Sequence, residues 1–90
     1  MDKKASEFFE KGRDYSKLGD FDNAILNYSE AIKLNPDYSQ AYNKRGLAYA
    51  QKMDLKNAIT DCTEAIRLDP KDTSSYMVRG SAYFLLKEFD

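Results

Sequence analysis

The 90-residue sequence has no histidine and a single cysteine, Cys62. Without histidine the commonest general base and metal ligand is missing, and a lone cysteine excludes both an internal disulfide framework and a multi-cysteine zinc site. Most catalytic and metal-dependent function classes lose their parts, so no catalytic residue, metal site or cofactor is expected. Charge of one sign is lacking too. Fourteen basic residues stand against fifteen acidic ones, a formal charge of −1, so no net basic field draws nucleic acid or an anionic membrane, and neither is expected as a partner. No stretch approaches the roughly 18 apolar residues of a membrane span. The start, Met1-Asp2-Lys3-Lys4, runs into Phe8 and Phe9 rather than an apolar signal core, which points to a soluble, unexported, cytoplasmic chain. What is present, 42% hydrophobic and 32% charged residues, suits one small globular domain with a modest core.

The sequence repeats itself. An offset of 34 that aligns Gly12 with Gly46 also aligns Tyr15 with Tyr49, Asp20 with Asp54, and Asn23-Ala24-Ile25 with Asn57-Ala58-Ile59. Agreement continues through Glu30-Ala31-Ile32 with Glu64-Ala65-Ile66, Leu34 with Leu68 and Pro36 with Pro70, and a second step of 34 brings Gly80 and Tyr83 into register. Chance does not supply this. The repeats divide the chain into units 5–38 and 39–72 and a partial third, 73–90.

Within each unit, apolar residues recur at helical spacing, first through Phe8, Gly12, Tyr15 and Leu18, then through Phe21, Ala24, Ile25, Tyr28, Ala31 and Ile32. Each unit is thus two amphipathic helices. They break at Leu18-Gly19-Asp20 and Lys52-Met53-Asp54, where Asp20 and Asp54 can cap the second helix. Pro36 and Pro70 stop the second helices, and Asp37 or Asp72 can start the next. The spacing predicts helices near 4–18, 21–34, 38–52, 55–68 and 73–87, with no competing strand pattern. Gly12, Ala24, Gly46 and Ala58 let paired helices approach closely, and Ala31 and Ala65 leave room for the next unit. A lone hairpin cannot outweigh its backbone entropy of about 1–2 kcal/mol per residue, whereas stacked hairpins share an interface.

Period and punctuation resemble the tetratricopeptide repeat family. Its signature falls on Phe8, Gly12, Tyr15, Ala24, Tyr28, Ala31 and Pro36, then on Tyr42, Gly46, Tyr49, Ala58, Ala65 and Pro70. Cys62 stands where an aromatic is usual, and Lys11, Arg45 and Arg79 where leucine is common, so looser packing is expected there. The resemblance implies an all-α fold of five helices in about two and a half repeats, a right-handed superhelical stack of antiparallel hairpins. The third unit begins with Tyr76, Gly80, Ala82 and Tyr83, and Lys87-Glu88-Phe89-Asp90 reads as the next turn, so the sequence looks like a piece of a longer protein.

The remaining chemistry is sparse. Cys62 belongs to the apolar row Ala58, Ile59, Cys62, Ala65, Ile66 and is expected to be a packed core thiol. Asp20 with Asp22 and Asp69 with Asp72 lack a twelve-residue calcium loop and serve as caps. Glu30 with Lys33 and Glu64 with Arg67 are spaced to pair on a solvated face. In the family, the first helix of each unit lines a concave groove. That face carries over here onto Phe9, Arg13, Lys17, Asn43, Lys44, Leu47, Ser74, Met77, Val78, Ser81 and Phe84. Cations, an amide and apolar patches suit an extended peptide or partner helix, with Arg13 or Lys44 meeting a carboxylate of an acidic ligand. One subfamily grips the acidic tails of heat-shock chaperones with lysines, asparagines and an arginine on this face. The matching places here hold Phe9, Arg13, Lys44, Ser74 and Val78, so two cations remain while the asparagines and third-unit cations do not. A non-catalytic interaction module is the leading expectation. The alternative is a self-assembling scaffold that forms a homo-oligomer through an uncapped fifth helix, by way of Tyr83 and Leu86.

Overall fold

The computed structural model describes residues 3–89; Met1, Asp2, Asp90 and the side chain of Phe89 lie outside the described residues. Five helices follow one another, α1 (Lys3–Lys17), α2 (Phe21–Leu34), α3 (Ser39–Gln51), α4 (Leu55–Leu68) and α5 (Thr73–Phe89), and the described residues contain no strand. Each helix packs on its neighbours in sequence, and α3 additionally touches both α1 and α5, giving a slab of 40 × 28 × 17 Å.

Small residues set the helix spacing. A Cβ on Gly12 would sit 2.5 Å from the Tyr28 ring, and one on Gly46 would sit 2.8 Å from Cys62 Sγ. Ala24, Ala31, Ala58 and Ala65 are fully buried, so α1 with α2 and α3 with α4 close as the repeat pattern demands. Phe9 stacks on Tyr38 at 5.1 Å between ring centroids and tilts against Tyr28 at 5.7 Å. Such pairs add about 0.5–1.5 kcal/mol beyond the area they bury. A second cluster gathers Leu55, Ala58 and Ala82, with Tyr49, Leu85 and Leu86 packed against it.

The caps follow the expected aspartates only in part. Asp20 accepts from the Asn23 backbone N–H at 3.2 Å, and Asp72 accepts from the Ser75 N–H at 3.1 Å. Asp54 holds the N-cap of α4 but accepts from the Asn57 side-chain amide at 2.8 Å instead of a backbone donor. At the start of α3 the cap position belongs to Tyr38 and not Asp37, because that side chain is drawn into the core against Phe9. Both α1–α2 and α3–α4 turns pass through the left-handed region, at Gly19 (φ 77°) and Met53 (φ 64°). In α5 the equivalent stretch, 86–88, stays helical rather than turning. Leu86, assigned above to an exposed interface, is half-buried beside Leu55, because α5 turns that side toward α4; Tyr83 is exposed.

Candidate functional site

The strongest polar feature between α3 and α4 is one the sequence reading missed. Arg45, expected to loosen the packing, lies over Tyr42 and Tyr49, with 5.6 and 6.0 Å to the ring centroids. Its Nε and Nη2 donate to both carboxylate oxygens of buried Asp61 at 2.7 and 2.8 Å, and Nη1 donates to Ser29 Oγ at 3.0 Å. The paired carboxylate holds the guanidinium above its ordinary pKa. A signal was present: between the first and second units Lys11 becomes Arg45 while Asn27 becomes Asp61, so cation and carboxylate arrive together. Beside it, burial pushes the Cys62 thiol up to about 11, with Asp61 and Asp72 acting in the same direction, so Cys62 is a protonated core side chain. Glu64 pairs with Arg67 at 2.5 Å as its spacing suggests, whereas among the described residues Glu30 and Lys33 form no such pair.

Two open cavities lie between α1 and α3. The first, about 250 Å³, is lined by Arg13, Ser16 and Lys17 of α1, Tyr28 of α2, and Lys44, Leu47 and Gln51 of α3. Tyr28 Oη and Ser16 Oγ share a hydrogen bond of 3.2 Å at its wall, and burial raises the tyrosine pKa, so the hydroxyl stays neutral. The second, about 570 Å³, shares Arg13 and Lys44 with the first and continues past Phe9, Asn43 and Ser74 to Asp69 and Asp72. Arg13 and Lys44 thus bring cations to one end, where Glu10 also lines the wall, and Asp69 and Asp72 bring carboxylates to the other. Arg13 is exposed, pairs with Glu10 at 3.2 Å and lies over the Phe9 ring at 5.9 Å.

Seven of the expected groove residues, Phe9, Arg13, Lys17, Asn43, Lys44, Leu47 and Ser74, therefore border these cavities. Two of the seven are chiefly structural. Phe9 is buried in the aromatic stack, and buried Asn43 donates to Ser75 Oγ at 2.7 Å and Ser74 Oγ at 3.3 Å, tying α3 to α5. Met77, Val78, Ser81 and Phe84 line neither cavity: Met77, Ser81 and Phe84 are exposed on α5 and Val78 is half-buried. Tyr28, Gln51, Asp69 and Asp72 border the cavities without having been expected to.

Residues 12–52 match the family model of the TPR repeat and residues 39–72 that of the tetratricopeptide repeat. The TPR2B domain of yeast Sti1, solved in a complex with pHsp70, is 34% identical over 98% of this chain and 70% of its own, with a TM-score of 0.93. The chain belongs to the tetratricopeptide repeat family. Similar too are the TPR domain of Arabidopsis OM64, 31% identical over 96% of this chain and 71% of its own at a TM-score of 0.92, and the first TPR of Spaghetti (RPAP3) bound to the HSP90 peptide SRMEEVD. The latter is 33% identical over 94% of this chain and 68% of its own, at a TM-score of 0.91. Comparison with curated proteins gives no match. Among the described residues no helix is long and apolar enough to cross a membrane. In tetratricopeptide terms α1 with α2 and α3 with α4 are the two hairpins, and the cavities lie along the first helices of the two units.

Proposed function

We propose that this chain is a non-catalytic, cytoplasmic interaction module that binds an acidic peptide along α1 and α3. The observation that carries the reading is the convergence of Arg13, Lys17 and Lys44 on one cavity beside Leu47, three cations and an apolar contact facing open space. A carboxylate entering there meets charge-assisted donors, and Asp69 and Asp72 at the far end favour a neutral or basic residue in the remaining stretch. Similar structures carrying acidic chaperone peptides support the class of ligand. Ser74 and Val78 supply no cation to α5's share of the surface, so a chaperone tail has fewer charged contacts here than the clamp subfamily provides.

Titration of labelled SRMEEVD, with its C-terminal amide and a charge-reversed version as controls, tests this. The acidic peptide with a free carboxylate should bind most tightly, and Arg13→Ala with Lys44→Ala should weaken it about ten-fold or more while the helical signal stays unchanged. Equal binding by all three peptides, or an unaffected double variant, would overturn the reading.

A further inference from the structure

The smaller cavity between α1 and α3 carries more positive charge than one carboxylate answers. Arg13 and Lys17 on α1 and Lys44 on α3 line it without any carboxylate, and Glu10, Asp69 and Asp72 border only the larger cavity. Arg13 gives one nitrogen to Glu10, whereas Lys17 and Lys44 take part in no ion pair among the described residues. Neutral donors stand among these cations. Ser16 and Tyr28 share one hydrogen bond but carry two O–H protons, so one is left to donate into the cavity. Burial keeps the tyrosine neutral beyond its ordinary pKa, and Gln51 adds a side-chain amide. The donors belong to three helices, α1, α2 and α3, and so reach the cavity from different sides.

We propose that this cavity seats a phosphoserine of the ligand peptide. The proposal rests on the reading that an acidic peptide lies along α1 and α3, and it names the anion that peptide presents. A phosphate carries about −1.5 to −2 charges at neutral pH and three acceptor oxygens, against one charge and two coplanar oxygens for a carboxylate. A carboxylate therefore leaves two of the three cations unanswered. A phosphate dianion leaves one, which matches the partial claim that Glu10 already has on Arg13. Tetrahedral oxygens also meet donors on several sides at once, as Arg13, Lys17, Lys44 and the Ser16–Tyr28 pair are disposed, and the cavity of about 250 Å³ has room for the phosphate and the Cβ that bears it. Continuity decides the source of that phosphate. The larger cavity shares Arg13 and Lys44 and runs on past Phe9, Asn43 and Ser74, a path that a peptide chain leading away from the phosphate fills and a free ion leaves empty.

The probes are fluorescent peptides on the SRMEEVD frame, amidated at the C-terminus, with the fourth, fifth or seventh residue made phosphoserine, glutamate or serine in turn. Fluorescence anisotropy against the full chain should find a position at which phosphoserine binds about ten-fold more tightly than glutamate, with serine weakest. The quantity compared between protein variants is the ratio of phosphoserine to glutamate affinity, which a general loss of folded protein leaves unchanged. Lys17→Ala, at an exposed side chain, should cut that ratio to about three-fold or less, and Tyr28→Phe, which keeps the ring beside Gly12 and removes the hydroxyl, should lower it by a smaller factor. Glutamate binding as tightly as phosphoserine at all three positions, or a ratio that survives Lys17→Ala, would overturn the proposal and leave the acidic-peptide reading standing. No binding by any of these peptides or by SRMEEVD with its free carboxylate would overturn both. Inorganic phosphate that displaces the phosphopeptide at the peptide's own concentration would overturn the proposal as well, by making the free ion the occupant.

Discussion

Replacing Asp61 with alanine isolates the one buried ion pair that joins α3 to α4. The pair is nearly enclosed, with 6% of the Asp61 side chain and 19% of the Arg45 side chain exposed, and both carboxylate oxygens are engaged at 2.7 and 2.8 Å. Truncation removes the anion and leaves a guanidinium that keeps only Ser29 and the faces of Tyr42 and Tyr49. Stranding one member of a fully buried pair costs about 3–5 kcal/mol. Arg45 retains some access to water, which brings the expected loss to the bottom of that range or just below it, about 2–3 kcal/mol, or a fall in melting temperature of about 10–20 °C for a domain of this size. Urea unfolding followed by circular dichroism at 222 nm measures it directly. The companion variant, Arg45→Met with Asp61→Leu, removes both charges and keeps apolar bulk, so its stability should lie within about 1 kcal/mol of the wild type. A loss below about 1 kcal/mol for Asp61→Ala would refute the reasoning, and so would a double variant as unstable as the single one, which would mean that shape rather than charge pairing holds the contact.

Three further outcomes follow from the same geometry. Gly12→Ala should destabilise by about 1–3 kcal/mol, because its Cβ lands 2.5 Å from Tyr28, whereas Gly80→Ala should stabilise by about 0.5–1 kcal/mol through helix propensity alone; paired urea midpoints read both. Met53→Gly relieves a left-handed backbone at φ 64° and should gain about 0.5 kcal/mol after the added freedom of the unfolded chain is counted, measurable as a small rise in melting temperature. The buried Cys62 thiol keeps its proton up to about pH 11, against 9.0 for an unperturbed thiol. The unfolded state therefore releases that proton first. Its contribution is complete below about pH 9 and lost as pH rises to about 11, about 2–3 kcal/mol in all, and Cys62→Ala should flatten that alkaline fall in urea midpoint.

Most of the fold was legible because the repeat imposes the same packing problem twice. Glycine and alanine at fixed offsets can be read as close approaches without coordinates, and helix ends at Asn35-Pro36 and Asp69-Pro70 follow from the backbone chemistry of proline. The Arg45–Asp61 pair escaped because its members lie sixteen residues apart on different helices, and arginine at a usual leucine position was read as a defect. The cap expected at Asp37 does not form because Tyr38 takes the N-cap position of α3, and the one expected at Asp54 accepts from the Asn57 side-chain amide instead of a backbone N–H.

Not every residue of the expected groove face borders the cavities, for a reason the structure makes specific. Residues three before each glycine, Phe9, Asn43 and Met77, occupy one register position and were assigned to the ligand surface together. Phe9 instead packs on Tyr38 at the start of the next first helix, and Asn43 bonds to Ser74 and Ser75 at the start of the one after. This position therefore serves contact between successive units, and Met77, which has no following unit among the described residues, is left 72% exposed. Positions one after the glycine and two before it behave differently. They supply Arg13 and Leu47 in the one case and Glu10 and Lys44 in the other, all of which border the cavities. A helix face chosen by sequence spacing is broad enough to hold both kinds of position. Only the direction in which the next unit stacks separates them, and that direction is a property of the assembled hairpins that no single helix encodes.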